Sequence, residues 1–173
     1  MSPGKKSTVK GKDVSTLAGK YLTFSLGDET YGIEILKVQE IIGMMKVTHF
    51  PKAPFFVRGV INLRGKVIPV IDLRIKFDLP EKEDTEKTCI IVIQLESGES
   101  EVREGLIVDE VAEVLDIEES MIELSPSFGT DVDLDFIMGV GKVNEKVVIL
   151  LDVAKILTGD EFNLISNVGG DDE

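Results

Sequence analysis

Two aspartates occupy equivalent positions in a sequence that repeats itself, so a pair of carboxylates is the first chemistry the chain suggests. Asp72 lies in residues 59–77 (GVINLRGKVIPVIDLRIKF) and Asp152 lies in residues 139–157 (GVGKVNEKVVILLDVAKIL). The two segments align without a gap at an offset of 80 positions. Two carboxylates that share one proton form the centre of an aspartic hydrolase, an enzyme class built from duplicated β units.

The residues after these aspartates do not suit that chemistry. Leu73-Arg74 and Val153-Ala154 stand where a protease would have a small Thr/Ser-Gly pair to bring the backbone around the carboxylate. Each aspartate also precedes a short apolar helical turn, where an aspartate commonly accepts a hydrogen bond as the N-cap. We therefore predict that Asp72 and Asp152 cap helices and do not form a dyad.

Other candidates for chemistry are isolated. His49 is the only histidine, and a catalytic or zinc-binding histidine needs companions. Cys89 is the only cysteine and begins an apolar strand, which favours a packed thiol over a nucleophile. Gly139-Val140-Gly141 lacks the third glycine and the helix of a dinucleotide-binding loop. The sequence therefore predicts no enzyme activity, no metal site and no cofactor.

Two further segments repeat, and together the repeats predict a duplicated supersecondary unit. YGIEILKVQEII (31–42) matches EGLIVDEVAEVL (104–115) at an offset of 73, and YLTFSL (21–26) matches IIVIQL (90–95) at 69. Many short strands with tight turns favour small closed barrels. We expect a mainly β fold of two like β-barrels on a shared core, with a few short helices.

The pattern of apolar residues and turns also places the individual elements. Leu36–Glu40 reads as a helical turn or a bend, and Pro69 indicates that its strand lies at a sheet edge there. The predicted strands are Tyr21–Leu26, Thr30–Ile35, Val57–Leu63, Lys66–Ile71, Cys89–Leu95, Phe136–Val143 and Lys146–Leu151.

The repeats set the expected domain organisation. Residues 1–19 read as a disordered basic tail, 20–80 as the first barrel, 81–87 as a connector, 88–164 as the second barrel with a C-terminal short helix, and 165–173 as an acidic tail. A unit of about 70 residues is marginally stable alone, so the two should pack together as one domain. The sequence leaves open an exchange of strands between them.

The charge is strongly uneven along the chain. The net charge is −13, which argues against a barrel that binds oligonucleotides. Residues 20–80 carry a net charge of +3 and residues 81–173 a net charge of −19. The acidic half is either a solvated surface or one of two faces that take different partners.

The two copies differ most at the tip of their second hairpin. Copy one has Asn62-Leu63-Arg64-Gly65, and copy two has Lys142-Val143-Asn144-Glu145. Gly65 suits a turn position with positive φ, and Asn144 can serve similarly, so the turn does not require Arg64. A guanidinium at such a tip can bind a carboxylate of a partner, although an ordinary surface arginine explains it equally well.

A second difference sets Lys37-Val38-Gln39-Glu40 against Glu110-Val111-Ala112-Glu113. Val38 beside Glu40 would suit a helical partner, with an apolar anchor and a charge that fixes the register. A solvated Glu40 on a packed element is the simpler alternative.

Over residues 21–164 the chain resembles the CheW family of chemotaxis coupling proteins. The resemblance is carried by FSLGDETYGIEILKVQEII and VRGVINLRGKVIPVIDLRIKF, and by GLIVDEVAEVL and VVILLDVAKIL in the second copy. It implies two SH3-like five-stranded β-barrels around a shared core and a non-enzymatic adaptor in the cytoplasm. Such an adaptor joins the regulatory domain of the histidine kinase CheA to the hairpin tip of membrane-associated chemoreceptor arrays, without entering the membrane.

The resemblance also implies a receptor-binding surface. Its VQE stretch and NLRG arginine correspond to Val38, Glu40 and Arg64, with Asn62 and Gly65 beside them. The basic residue before the GVIN string, Arg58, is expected to join the same surface. Kinase contacts are expected on loops of the first barrel, without individual residues. The kinase's own regulatory domain and adaptor–receiver fusions share this unit; the absence of further domains in the 173 residues favours a free-standing adaptor.

Overall fold

The structure is a computed structural model that describes residues 14–80, 82–97, 100–124 and 136–156. These residues form two β-sheets, with short helices at Val14–Leu17 (α1) and Leu73–Lys76 (α2) and 3-10 turns at Ile35–Lys37, Glu119–Met121 and Val153–Lys155. The strands are β1 (Gly19–Leu26), β2 (Glu29–Glu34), β3 (Val38–Gly43), β4 (Val57–Leu63), β5 (Lys66–Asp72), β6 (Cys89–Ser97), β7 (Ser100–Val108), β8 (Glu110–Ile117), β9 (Ile122–Leu124), β10 (Ile137–Val143) and β11 (Lys146–Leu151).

Each sheet contains strands from both halves of the chain, so the strands are exchanged. The six-stranded sheet has the order β8-β1-β2-β11-β10-β9, and the five-stranded sheet has the order β3-β6-β7-β5-β4. The exchange follows the internal repeat, because the two parallel contacts are equivalent. Val70 on β5 lies opposite Gly105 on β7, and Leu150 on β11 lies opposite Gly32 on β2.

In each sheet the two edge strands follow one another in the chain, and among the described residues no ladder joins them to close the sheet into a barrel. In the five-stranded sheet the chain leaves β3 and reaches the far edge at β4, where Thr48 and Val60 exchange two backbone hydrogen bonds of 2.8 and 2.9 Å. In the six-stranded sheet the edge strands β8 and β9 are consecutive in the chain. A Cβ on Gly59 would lie 2.1 Å from the Thr48 carbonyl oxygen, and one on Gly139 would lie 2.7 Å from that of Glu123. The repeated glycine therefore permits the same close crossing in both halves.

The apolar side chains form three clusters. One lies within the five-stranded sheet (Ile61, Ile68, Val70, Ile90, Val92, Ile107), and a second within the six-stranded sheet (Leu17, Tyr21, Ile117, Ile122, Val148, Leu150). The third and largest, here called the shared core, takes residues from both sheets, among them Phe24, Ile33, Ile91, Leu106 and Leu151. The prediction of a mainly β fold with two like units on a shared core is confirmed.

The predicted hairpins are confirmed, and the departures come from contacts between distant segments. Leu36–Glu40 is neither a single turn nor a bend, because β3 begins at Val38 directly after the 3-10 turn. The prediction that Pro69 marks an edge strand is wrong, since β5 lies between β4 and β7. Pro69 nevertheless precedes the β5–β7 ladder, which starts at Val70, so its missing N–H costs that ladder no hydrogen bond.

The predicted tail is wrong for its last six residues, because residues 14–19 contain α1 and the start of β1. Leu17 is only 1% exposed, and the Tyr21 hydroxyl donates to its carbonyl oxygen at 2.7 Å. Residues 1–13, 125–135 and 157–173 lie outside the described residues. Within the described part of the chain, no helix has the length and apolar character needed to cross a membrane.

Candidate protein-docking site

The tip of the β4–β5 hairpin holds Arg64 in an unusual backbone conformation. Arg64 has φ 53° and Gly65 has φ 89°, so both central residues of the turn are left-handed. The side-chain oxygen of Asn62 accepts a hydrogen bond from the Gly65 N–H at 2.8 Å and fixes the turn. Two-residue hairpins of this kind favour Asn or Asp at the first position and Gly at the second. Gly65 meets that preference and Arg64 does not.

The equivalent hairpin of the second half meets the preference at its first position, Asn144, and not at its second, Glu145. Asn144 has φ 51° and Glu145 has φ 68°, so the same pair of left-handed residues closes the turn. The prediction of positive φ at Gly65 and at Asn144 is confirmed. Because Asn144 occupies the position of Arg64, the fold itself would accept an asparagine there.

Arg64, which directly follows β4, is joined to Glu40 on β3. The two strands are the edges of the five-stranded sheet, and the boundary between them is here called the seam. Nη2 of Arg64 donates to both carboxylate oxygens of Glu40. The Arg64 side chain is 65% exposed and that of Glu40 is 25% exposed. The hydrogen bond from Arg64 holds the pKa of Glu40 below its ordinary value. Glu40 is therefore ionised at neutral pH, and the pair presents a guanidinium on the outer surface.

A β-bulge sets the direction of the side chains on β3. Val38 lies opposite Ile93 and Glu40 lies opposite Val92, so three residues of β3 face two of β6. The extra residue places Val38 on the shared-core side of the sheet and Glu40 on the other side, where a regular strand would put both on one face. Nε of Arg103 donates to the side-chain oxygen of Gln39 at 2.6 Å and holds the bulge.

The second half repeats the bulge without this chemistry. Its ladder shifts between Leu22 and Phe24 against β8. There the Thr23 hydroxyl donates to the Glu113 carbonyl oxygen at 2.7 Å and accepts from the Glu113 N–H at 3.2 Å. The bulge is thus a property of the fold, whereas the Arg103–Gln39 and Arg64–Glu40 contacts belong to the bulge of the five-stranded sheet.

Exposed apolar side chains lie on the strands that carry the Arg64–Glu40 pair and its hairpin, and the sequence interpretation did not single them out. Ile41 follows Glu40 and is 44% exposed; Val67 lies opposite Asn62 and is 40% exposed. In the sequence, Ile41 stands in the apolar pair Ile41-Ile42, which is typical of a buried strand. The signal that could have found it is the second copy, where the equivalent Val114 is also 46% exposed.

Arg58 belongs to a separate cluster of charges. Nη2 of Arg58 donates to Asp72 at 2.8 Å, and Nη1 donates to Asp84 at 3.2 Å. Arg58 and Met44, the residue directly after β3, line one surface depression. The structure therefore brings Glu40 together with Asn62, Arg64 and Gly65 of the hairpin tip and leaves Val38 on the opposite face of β3. Arg58 lies in a neighbouring cluster, with its guanidinium already occupied.

Asp72 is the centre of that cluster and is not part of a catalytic dyad. Its two oxygens accept from Nε of Arg74 at 3.0 Å, Nη2 of Arg74 at 3.1 Å, the Arg74 backbone N–H at 3.0 Å and Arg58. Burial raises the pKa of Asp72, but the hydrogen bonds from Arg74 and Arg58 outweigh it and hold that pKa below its ordinary value. Because four donors occupy the lone pairs of the Asp72 carboxylate, Asp72 has no position left for a proton shared with a second carboxylate.

The two predicted caps are confirmed. Asp72 accepts from the backbone N–H of Arg74, and Asp152 accepts from that of Ala154 at 3.1 Å. Both aspartates also donate their own N–H to an equivalent phenylalanine carbonyl, Phe56 at 2.9 Å and Phe136 at 2.8 Å.

Cys89 and the Gly139–Gly141 pair, the other candidates for chemistry, lie within strands. Cys89 starts β6, is half-buried and has a pKa raised first by burial, which is the opposite of a reactive thiolate. Gly139 and Gly141 lie within β10 and not in a loop before a helix. Among the described residues, no group of three or more His, Cys, Asp or Glu side chains is arranged to hold a metal ion.

Comparison with known proteins agrees with this arrangement. The profile of the CheW-like domain matches residues 20–161. The chain is 41% identical over 160 residues to the chemotaxis protein CheW of Klebsiella aerogenes, covering 90% of this chain and 94% of the relative. It is 36% identical over 139 residues to the CheW protein of Bacillus subtilis, covering 80% and 86%.

A solved structure is also similar. The scaffolding protein TtCheW from Thermoanaerobacter tengcongensis superimposes with a TM-score of 0.73 at 35% identity, over 83% of this chain and 95% of that one. The chain therefore belongs to the CheW-like family of chemotaxis scaffold adaptors, which are not enzymes.

Proposed function

We propose that this protein couples chemoreceptors to the histidine kinase CheA and transmits the receptor state to kinase activity. It acts in the cytoplasm and is recruited to membrane-associated receptor arrays. One surface binds the hairpin tip of the receptor, and another binds the regulatory domain of the kinase. Each contact alone can be weak, because the array holds the partners at a high effective concentration.

The observation that carries the proposal is Arg64. It stands at a turn position where asparagine is favoured, as Asn144 shows in the second half, and its side chain is held on the outer surface by Glu40. A non-glycine residue in a strained conformation is commonly retained for a role outside the fold. A guanidinium in this setting suits a carboxylate on a helical partner.

The proposed receptor surface combines this charge with apolar contact. Glu40 and Arg64 supply the charged centre, Val38 and the exposed Ile41 supply apolar area, and Asn62 with Gly65 shape the tip. Arg58 lies at the margin of the surface, where its bonds to Asp72 and Asp84 position the neighbouring chain. A mixed surface of this kind fits the helical hairpin of a receptor tip.

The proposed kinase surface lies on loops of the first half. The segment between β3 and β4 exposes three large apolar side chains, Met45 at 38%, Phe50 at 38% and Phe55 at 78%. This segment follows β3 directly in the sequence and pairs with β4 through Thr48 and Val60. Separate surfaces would let one molecule hold both partners at once, as coupling between them requires.

The test is the charge reversal Arg64→Glu. It removes the donor and places a second carboxylate beside Glu40, so we expect the affinity for a receptor-tip fragment to fall by about tenfold or more. Calorimetric titration measures the dissociation constant, and circular dichroism checks the fold. Lys142→Glu, which makes the same change of charge on the hairpin of the second half, should leave receptor binding unchanged. Normal binding by Arg64→Glu would remove the receptor surface from this site.

The double variant Glu40→Arg with Arg64→Glu separates two roles of the pair. If Arg64 contacts the receptor itself, reversing the pair does not restore binding. Restored binding would instead mean that the pair only positions the hairpin, and the contact would then move to the neighbouring apolar residues.

A further inference from the structure

Glu104 is a carboxylate buried without a hydrogen-bond partner at one of its oxygens. It lies on β7 and is 2% exposed, and Oε2 is fully buried and accepts no hydrogen bond. It lies opposite Ile93, which belongs to the shared core, so its side chain faces the space between the two sheets. A buried carboxylate without partners is costly when ionised.

The repeat shows that the fold does not require a carboxylate here. Tyr31 is the equivalent residue of the first half, and its ring packs against Phe24 at 6.1 Å and Phe77 at 5.8 Å. The position needs a large buried side chain, and an aromatic ring supplies it. Glu104 fills the same kind of position with a group that can gain or lose a proton.

Within the described part of the chain, charges on the neighbouring elements do not compensate Glu104. Strands β1, β5 and β6 and helix α2 pack against β7. The ionisable groups on these elements and on β7 are Lys20, Tyr21, Lys66, Asp72, Arg74, Lys76, Cys89, Glu96, Glu101 and Arg103. Asp72 and Arg74 are paired with each other, and Arg103 is bonded to Gln39. Burial alone raises the pKa of Glu104 to about 7.

The ladder register connects Glu104 to the bulge on β3. Val38 lies opposite Ile93, and Ile93 lies opposite Glu104, so the three side chains form one row on the shared-core face. Two strand spacings of about 4.8 Å separate Val38 from Glu104. Arg103, the residue before Glu104, holds Gln39 in the middle of the bulge. A movement of β7 at Glu104 would therefore reach both Val38 and Gln39.

We propose that Glu104 is a proton-dependent switch that sets the conformation of the Val38–Glu40 bulge. The neutral carboxyl packs in the shared core and leaves the bulge as described. The ionised carboxylate requires water or a cation, and because it lies in a row with Val38 it shifts the sheet edge that carries the bulge. The effect on receptor docking rests on the proposed function; the conformational switch does not.

The direct test is a pH titration of the labelled full-length chain by NMR between pH 5.5 and 8.5. We expect the carboxyl carbon of Glu104 and the amides of Val38, Gln39 and Glu40 to change with a common midpoint near pH 7. The step should vanish in Glu104→Gln, which keeps the shape and removes the proton. The reference chain and the Glu104→Gln variant both carry His49→Gln, because a histidine can itself titrate in this pH range.

Bulge amides that stay unchanged while Glu104 titrates would overturn the switch, as would the same step persisting in Glu104→Gln.

A second experiment measures the effect on receptor docking. The affinity for a receptor-tip fragment should be at least about fivefold higher at pH 6 than at pH 8, and Glu104→Gln should remove this dependence. If the fragment binds at no pH, the proposed function fails, while the NMR titration still decides the switch.

Discussion

At the scale of single residues, the comparison between halves separates what the fold needs from what it carries in addition. Gly59 and Gly139 are shared because a Cβ at either position would collide with a backbone carbonyl. Arg64 is not shared, and its left-handed backbone is a conformation that asparagine adopts more readily than arginine. Selection for folding alone would favour the residue found at Asn144.

Arg64→Asn is expected to separate stability from binding. The variant installs the residue of the second half, so the melting temperature should stay unchanged or rise by about 2–4 °C as backbone strain is relieved. Receptor-tip affinity should fall as in the charge reversal, since the guanidinium is gone. Calorimetric melting and binding titrations measure the two effects. A clear loss of stability would show that Arg64 serves the fold.

At the scale of elements, the charge cluster ties three segments together. Arg74 on α2 binds Asp72 on β5, Asp84 from the connector at 2.8 Å, and Asp109 at 3.3 Å between β7 and β8. The Arg74 side chain is 4% exposed, and those of Asp72 and Asp109 are 3% and 6% exposed. Lys82 and Arg58 complete a cluster of three acids and three bases. The connector is held against the first half by these bonds.

Arg74→Met should be strongly destabilising, because it leaves two buried carboxylates without their main partner. The expected loss is about 3–5 kcal/mol in the free energy of unfolding at pH 7, measured by urea denaturation. Lys82→Met is the control, since Lys82 is half-exposed and its loss should cost about 1 kcal/mol or less. An equally small effect for both variants would contradict the structural role of the cluster.

The same cluster predicts an acid limit. The pKa of Asp72 is held low in the folded state, so its stabilising contribution is present above the pKa of an unfolded aspartate, about 3.9, and is lost as the pH falls through the lower folded value. The difference between wild type and Arg74→Met should therefore shrink below about pH 4.

Local patterns in the sequence predicted the local structure, and distant contacts limited the rest. The β4–β5 and β10–β11 hairpins, the caps at Asp72 and Asp152 and the positive φ at Gly65 depend on neighbouring residues, and all were predicted. Gln39 is bound by Arg103, and Arg58 is bound by Asp84. Neither partner is adjacent in sequence, so periodicity and turn chemistry could not reveal them.

At the scale of the whole molecule, the exchange of strands makes the halves dependent on each other. The five-stranded sheet takes β6 and β7 from the second half, and the six-stranded sheet takes β1 and β2 from the first. The shared core draws on both sheets. The repeat suggested two like units, but it could not say which half supplies each strand.

Separate halves should therefore fail to fold. We expect residues 1–80 and 88–173, made as two chains, to show little protected backbone by hydrogen exchange when each is alone. Mixing them should restore protected strands, since each supplies what the other sheet lacks. A stable fold of residues 1–80 alone would contradict the exchange.

The central claim is that one molecule of this folded pair of sheets holds a receptor tip and a kinase regulatory domain on separate surfaces. Analytical ultracentrifugation of the chain with both partners tests it most directly. We predict a ternary complex, with Arg64→Glu losing only the receptor fragment and Phe55→Ser losing only the kinase domain. Two binary complexes that exclude each other, or one variant that removes both partners while folding normally, would contradict the account.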